Sequence, residues 1–331
     1  MNNTFKALII NESINGFTKE IQEINLSDLP KNDLLIKVSY SSINFKDALS
    51  ASGNKGVTRK FPHIPGIDAT GTVVESNSEK FPVGTKVLVT GFDLGMNTWG
   101  GFGEYISIPE KWAIHLPSDL TEKEAMSYGT AGLTAGLSVY QILQSSLVSP
   151  ENGKVVVSGS TGGVGSIAVS ILSKIGFDVL AISGKKENDY LINSLGAKEV
   201  VDRKDFIDMY DSKPLAKPAF VAGIDTVGGA ILSGMIKSTQ YGGIVTCCGM
   251  TASTEVNTSI FPFILRGVHL AGIDSVEASL EVRNLIWEKL ASDWKLSNLE
   301  EISKEIGLEE LPDKLDEILA GKAKGRYVLK H

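Results

Sequence analysis

The feature that most constrains this 331-residue chain is the run Val155-Val-Val-Ser-Gly-Ser-Thr-Gly-Gly-Val-Gly165, an apolar strand that passes through glycines at 159, 162, 163 and 165 into an apolar-periodic helix. Four glycines in so short a turn cost backbone entropy that packing alone seldom demands. Between a strand and a helix they allow a tight turn, let the backbone approach a ligand closely and aim the first helical N–H groups at a diphosphate. The run therefore predicts a dinucleotide seated on Thr161, Gly162, Gly163 and Val164; the alternative is a strand–helix turn without a ligand.

The surroundings support the first reading. Apolar strands at 154–158, 178–182, 199–201, 220–225, 243–248 and 268–273 alternate with helical stretches, and a further helix falls at 277–291. Repeated β-α-β with apolar strands implies a parallel sheet covered on both faces, an α/β Rossmann domain with a doubly wound sheet, over 129–291. Before it lie short β-like runs at 34–40, 71–75, 86–90 and 104–108, punctuated by Gly and Pro, until Thr121 and Glu124 form a capping box that opens a helical stretch through Gln144. The strand-like tail Arg326–Leu329 rejoins this β-rich part, giving a second domain from 1–128 and 292–331.

Composition removes several classes. The net charge is −7 with no long block of either sign, so the basic footprint of a nucleic-acid binder is missing. No stretch reaches the ~18 apolar residues of a membrane span. The two cysteines, Cys247 and Cys248, are adjacent, too close for an ordinary disulfide and too few for a thiolate metal site. A reduced, cytoplasmic compartment is the default.

An NAD site places an Asp or Glu about 20 residues beyond the glycine turn, on the ribose 2′-hydroxyl. Here the second strand runs instead into Ser183-Gly184-Lys185-Lys186, a hydroxyl and two ammonium groups suited to a 2′-phosphate. NADPH is the predicted cofactor; the plainer reading makes both lysines solvated charges at a helix start, where the dipole disfavours them.

The segments 42–49 (Ser-Ile-Asn-Phe-Lys-Asp-Ala-Leu), 61–71 (Phe-Pro-His-Ile-Pro-Gly-Ile-Asp-Ala-Thr-Gly), 99–104, 129–135, 222–228, 261–267 and 272–276 together resemble the medium-chain dehydrogenase/reductase superfamily. Within it they look most like the zinc-independent, quinone oxidoreductase-like branch that includes bacterial acryloyl-CoA reductases. The resemblance covers the whole chain and implies a GroES-like catalytic domain interrupted by the Rossmann domain. It implies that Phe45 forms part of the nicotinamide pocket. It also implies further cofactor contacts at Thr134, Arg203, Cys248, Gly249, Phe263, Ile264, Leu265 and Arg326. A homodimer paired through the strand at 268–273 is expected.

Where zinc-dependent relatives carry Gly-His-Glu this chain has Gly66-Ile67-Asp68, and Asn44 stands where they carry a ligating cysteine. Catalytic zinc needs three side-chain ligands, so metal-free chemistry is expected, with His63 a turn or packing residue. Without a Lewis acid an alcohol is hard to activate, whereas an activated C=C bond accepts hydride while its charge collects on a hydrogen-bonded carbonyl oxygen. In the 44–47 loop, Asn44 is expected to donate to that carbonyl or orient the nicotinamide, and Asp47 to order the loop or take part in proton transfer. The competing reading has both residues merely cap the helix over 45–49. Arg266 is read as a surface ion-pair partner or a contact to an acyl-CoA phosphate, and Arg326 as a contact to the cofactor's adenosine or an anchor for the tail. Three functions remain open: reduction of acryloyl-CoA or a similar enoyl-CoA, reduction of quinones, and non-catalytic sensing of NADPH.

Overall fold

The computed structural model describes residues 3–185 and 187–331. They fold as two compact units, Met1–Thr130 with Val276–Ala291 and Ile302–His331, and Ala131–Ser275 with Ser292–Glu301.

In the first unit, β1 (Thr4–Ser13) and β2 (Gly16–Asn25) form a hairpin. Next come β3 (Leu34–Ser42), α1 (Phe45–Ala51), β4 (Asp68–Ser76), β5 (Lys86–Thr90), β6 (Tyr105–Ile108), β7 (Ile114–His115) and α2 (Glu122–Leu143). Strand β3 lies inside the main sheet because it alternates: Leu34, Ile36 and Val38 are buried while Leu35 and Lys37 point the other way. The buried set packs on Val73, Val87, Val89, Ile106 and Ile108, each such side chain contributing about 1.5–3 kcal/mol of burial. The capping box at α2 forms as read, with Thr121 N–H donating to Glu124 Oε2 at 2.8 Å and Glu124 N–H to Thr121 Oγ1 at 3.1 Å. The helix is not continuous, however: Gly129, at φ 50° and ψ −152°, breaks it just before the chain enters the second unit.

The second unit holds β8 (Lys154–Val157), α3 (Gly163–Lys174), β9 (Val179–Ser183), β10 (Glu199–Asp202), α4 (Arg203–Tyr210), β11 (Phe220–Asp225), α5 (Gly229–Ser238), β12 (Thr239–Cys247), α6 (Phe261–Arg266) and β13 (His269–Gly272). Among the described residues these strands make one parallel sheet in the order β10-β9-β8-β11-β12-β13. The chain winds outward from β8 to one side and then to the other. The carboxyl end of β8 is thus the point where the winding reverses, which is where such sheets bind ligands.

The chain closes with α7 (Leu280–Ala291), α8 (Leu299–Ile302), β14 (Ser303–Ile306), α9 (Leu311–Leu319) and β15 (Arg326–Lys330). As the tail pattern suggested, β15 pairs with β3, between β3 and β14. The division at 291/292 differs from the reading of the sequence. Helix α7 belongs to the first unit because the fully buried Arg283 ties it there, donating to the carbonyls of Thr90 (2.7 Å) and Ala278 (2.8 Å). Residues 292–301 instead join the second unit, where Asn298 Nδ2 donates to Ser194 O at 2.6 Å. No helix among the described residues is long and apolar enough to cross a membrane.

Candidate functional site

The glycine turn is built by close backbone approach. Gly159 takes φ +58°, its carbonyl accepts the Gly162 N–H at 2.9 Å, and α3 starts at once behind Gly162. A Cβ at Gly165 would lie 2.3 Å from Gly159 O, so only glycine lets the first helical turn press onto the end of β8. The first-turn N–H groups of α3 have no carbonyl four residues back to bond and lie open at the sheet's switch point. Thr161 is buried, whereas Gly162, Gly163 and Val164 are partly exposed. A cradle of this form fits a diphosphate.

At the neighbouring strand end, Ser183 closes β9 opposite Asp202 of β10, and its Oγ accepts the Lys185 N–H at 3.0 Å. Arg203, the first residue of α4, lies across Gly184, where a Cβ would fall 2.8 Å from its Nε. The fold thus gathers Ser183, Gly184, Lys185 and exposed Arg203 at one place. Lys186 lies outside the described residues. Gly249 follows the same logic as Gly165, since a Cβ there would come within 1.9 Å of Thr226 O. Cys248 hangs from Asp225, donating its N–H to the carbonyl at 3.0 Å, and burial pushes its thiol up to about 12, the wrong direction for a nucleophile. Both cysteines are free.

Thr134 is buried with its hydroxyl donated to Ser275 Oγ at 2.8 Å. In α6, Phe263 packs on the sheet core while Ile264 and Leu265 are exposed. Arg266 is neither a surface ion pair nor a free cation: it holds the carbonyls of Lys237 (3.0 Å), Thr239 (3.3 Å) and Ala216 (2.6 Å).

The first unit concentrates its polar groups around Asn44, the N-cap of α1. The amide is held at both ends: Nδ2 donates to Asp68 Oδ2 at 2.8 Å and Oδ1 accepts from Arg326 Nη1 at 2.9 Å. Asp68, fully buried, also accepts from Ser42 Oγ and from both the N–H (2.8 Å) and the hydroxyl of Thr130. Gly129 fits against this cluster because a Cβ would meet Ser42 Oγ at 2.3 Å, Asp68 Oδ2 at 2.5 Å and Arg326 Nη2 at 2.8 Å. Arg326 is 4% exposed and also holds Ile43 O at 3.1 Å. Its Nη1 is therefore committed to the Asn44 loop, which fits the anchoring alternative read for it.

Asp47, fully buried at the third helical position, accepts the N–H groups of Asn44 (2.8 Å), Gly66 (3.2 Å) and Ile67 (2.9 Å). Burial, reinforced by the Asp68 charge, raises its carboxyl to about 7 against the pull of those hydrogen bonds. The structure gives Asp47 the loop-ordering half of its expected role. Its neighbour Phe45 is exposed. His63 is a packing residue, buried with Nε2 2.9 Å from Gly95 O. Ile67 is buried, and among the described residues no three His, Cys, Asp or Glu side chains converge as metal ligands. Asp68, Arg326 and Gly129 are the central residues that sequence reasoning missed in these roles. The one local signal was Asp68 itself, a carboxylate at the head of a strand.

A GroES-like β unit joined to a dinucleotide-type parallel sheet defines a two-unit oxidoreductase fold. The family profile "Alcohol dehydrogenase GroES-like domain" matches residues 30–118 and "Zinc-binding dehydrogenase" matches 163–292. The putative quinone oxidoreductase YhfP of Bacillus subtilis is 44% identical over 100% of both chains, and the acrylyl-CoA reductase AcuI of Ruegeria pomeroyi 37% identical over 98% of each. The crystal structure of YhfP with NAD bound superposes with a TM-score of 0.95, covering 99% of each chain. That of the YhdH oxidoreductase of Salmonella enterica in complex with NADP, 38% identical, also gives 0.95, covering 98% of this chain and 99% of that one. The chain belongs to the medium-chain dehydrogenase/reductase family, in the quinone oxidoreductase-like branch that contains the acrylyl-CoA reductases.

Proposed function

We propose that the protein is an NADPH-dependent reductase of an activated C=C bond, converting acryloyl-CoA or a similar short enoyl-CoA to the saturated thioester without a metal. The observation that carries this reading is the Asn44 amide, fixed between a carboxylate and a guanidinium. When bound, the dihydronicotinamide would supply hydride to the β-carbon; the charge then collects on the thioester oxygen as an enolate, and a proton drawn from solvent completes the saturated thioester at the α-carbon. Beyond its bond to Asp68, the Asn44 amide nitrogen has only a long contact to Asp47 Oδ2 at 3.4 Å, so its second N–H is held weakly and a developing oxyanion can take it over. Arg326 on the amide oxygen polarises the group and makes that N–H a stronger donor to the developing oxyanion. Asp47 and Asp68 are positioning residues: the one fixes the loop backbone, the other the amide plane.

Thr161 to Val164 hold the diphosphate. Ser183, Lys185 and Arg203 receive the 2′-phosphate, supported by their convergence on Gly184 and by the lack of an acid at the end of β9. The family resemblance implies Phe45, Gly249 and the 263–265 segment as further cofactor contacts.

Quinone reduction is the second reading, favoured by the name and 44% identity of YhfP. Following NADPH absorbance with acryloyl-CoA, crotonyl-CoA, benzoquinone and no acceptor separates the readings. Acryloyl-CoA should give the highest kcat/KM, and preference for benzoquinone would install the second reading. Oxidation with none of them would point to a sensor. A homodimer is also proposed: β13 is an edge strand with exposed Leu270, flanked by exposed Ile264 and Leu265. Light scattering at the monomer mass would refute it.

A further inference from the structure

The 15 positions from 46 to 60 carry four cations, Lys46, Lys55, Arg59 and Lys60, against one carboxylate, the buried Asp47, in a chain whose net charge is −7. The four are not equivalent. Lys55 is spent locally, 2.7 Å from Glu12 and stacked over the rings of Phe17 and Phe61. Lys46, Arg59 and Lys60 have no side-chain ion pair or hydrogen bond within the described residues, and Arg59 and Lys60 are exposed.

Their placement is fixed by the same loop that carries Asn44. Thr58 Oγ1 meets Ser50 Oγ at 2.6 Å near the end of α1, and the N–H groups of Gly66 and Ile67 return to Asp47 near its start. The segment bearing Arg59 and Lys60 therefore runs back along α1, leaving the two cations about one helix length from Asn44, ~10 Å for seven residues. A quinone offers nothing to such a pair. A coenzyme A thioester presents its acyl end at one point and its 3′-phosphate and diphosphate at another, joined by a flexible pantetheine arm.

We infer that Arg59 and Lys60, with Lys46 beside the reacting end, form the subsite that binds the phosphates of coenzyme A. This rests on the enoyl-CoA reading of the active site and names the part of the substrate that selects it over a quinone. Charged hydrogen bonds to phosphate strengthen binding more than neutral ones, and exposure to salt reduces the gain.

The test compares the wild type with the Arg59→Ala/Lys60→Ala double variant on acryloyl-CoA and on acryloyl-pantetheine, which carries no phosphate. Expected is a roughly fivefold to tenfold rise in KM for acryloyl-CoA at low salt, shrinking as salt is added, with kcat, the KM for acryloyl-pantetheine and the KM for NADPH unchanged. An equal rise for both thioesters, a rise for NADPH, or no rise at all overturns the subsite. A wild type that reduces neither thioester overturns the enoyl-CoA reading instead. The subsite is then judged by binding of adenosine 3′,5′-diphosphate, and equal affinity in both proteins rejects it.

Discussion

Replacing Gly129 by alanine should unfold the first unit more readily and stop turnover, and the structure fixes why. The residue sits at φ 50°, ψ −152°, a region that costs a side-chain-bearing residue about 1–3 kcal/mol. The new Cβ would also press on Ser42 Oγ, Asp68 Oδ2 and Arg326 Nη2 at 2.3–2.8 Å. All three residues are buried, so relief requires breaking one or two hydrogen bonds to charged groups, each worth about 1.5–3 kcal/mol. The sum, about 2.5–9 kcal/mol, is a large share of the ~5–15 kcal/mol that holds a domain together. Gly84 is the control, because at φ +93° it shares the backbone demand but has nothing within 4 Å of a Cβ. Urea unfolding followed by tryptophan fluorescence reports on the right part of the molecule, since Trp99, Trp112 and Trp287 lie in the first unit and only Trp294 in the second. Gly129→Ala should lose at least ~2 kcal/mol more than Gly84→Ala. Equal losses would refute the packed cluster around Asp68.

Asn44→Ala should lower kcat about 100-fold while leaving the KM for NADPH within a factor of ~2, the signature of a lost oxyanion donor in steady-state kinetics. Asp47 makes stability depend on pH: its carboxyl is raised from 3.8 to about 7 on folding, so the native state holds the proton longer and stability falls as pH rises from about 4 to about 7. Asp47→Asn should remove that component, and the stability difference between the two proteins should shift by about 2–3 kcal/mol in urea titrations between pH 5 and pH 7; a constant difference would contradict it. Arg203→Ala should weaken NADPH about tenfold and leave NADH unchanged in fluorescence titrations.

The legible parts of the sequence were the local ones. A strand, a glycine turn and a helix lie within 154–174, so their periodicity and turn chemistry can be read directly. The same holds for the Thr121–Glu124 cap. The cluster around Asn44 was not legible, because residues 42, 44, 68, 129, 130 and 326 come together only when β3, β4, β15 and the broken α2 are placed side by side. Arg326 and Arg266 illustrate the limit. Sequence offers a cation and suggests an anion, whereas the fold engages both with carbonyl oxygens, with the Asn44 amide as a further acceptor for Arg326. The boundary near 291 differs for a similar reason: a helix after the last parallel strand reads as more of the same domain, while the bonds of Arg283 to Thr90, Val276 and Ala278 tie it to the first unit.

The most direct measurement gives chelator-treated enzyme NADPH carrying deuterium at the transferred C4 position, together with acryloyl-CoA, and examines the product by mass spectrometry and NMR. Propionyl-CoA with a single deuterium at C3, formed at the same rate with and without chelator, is the expected result. Loss of activity on chelation, deuterium at C1 of an alcohol, or an unchanged thioester would contradict metal-free hydride delivery to an enoyl thioester.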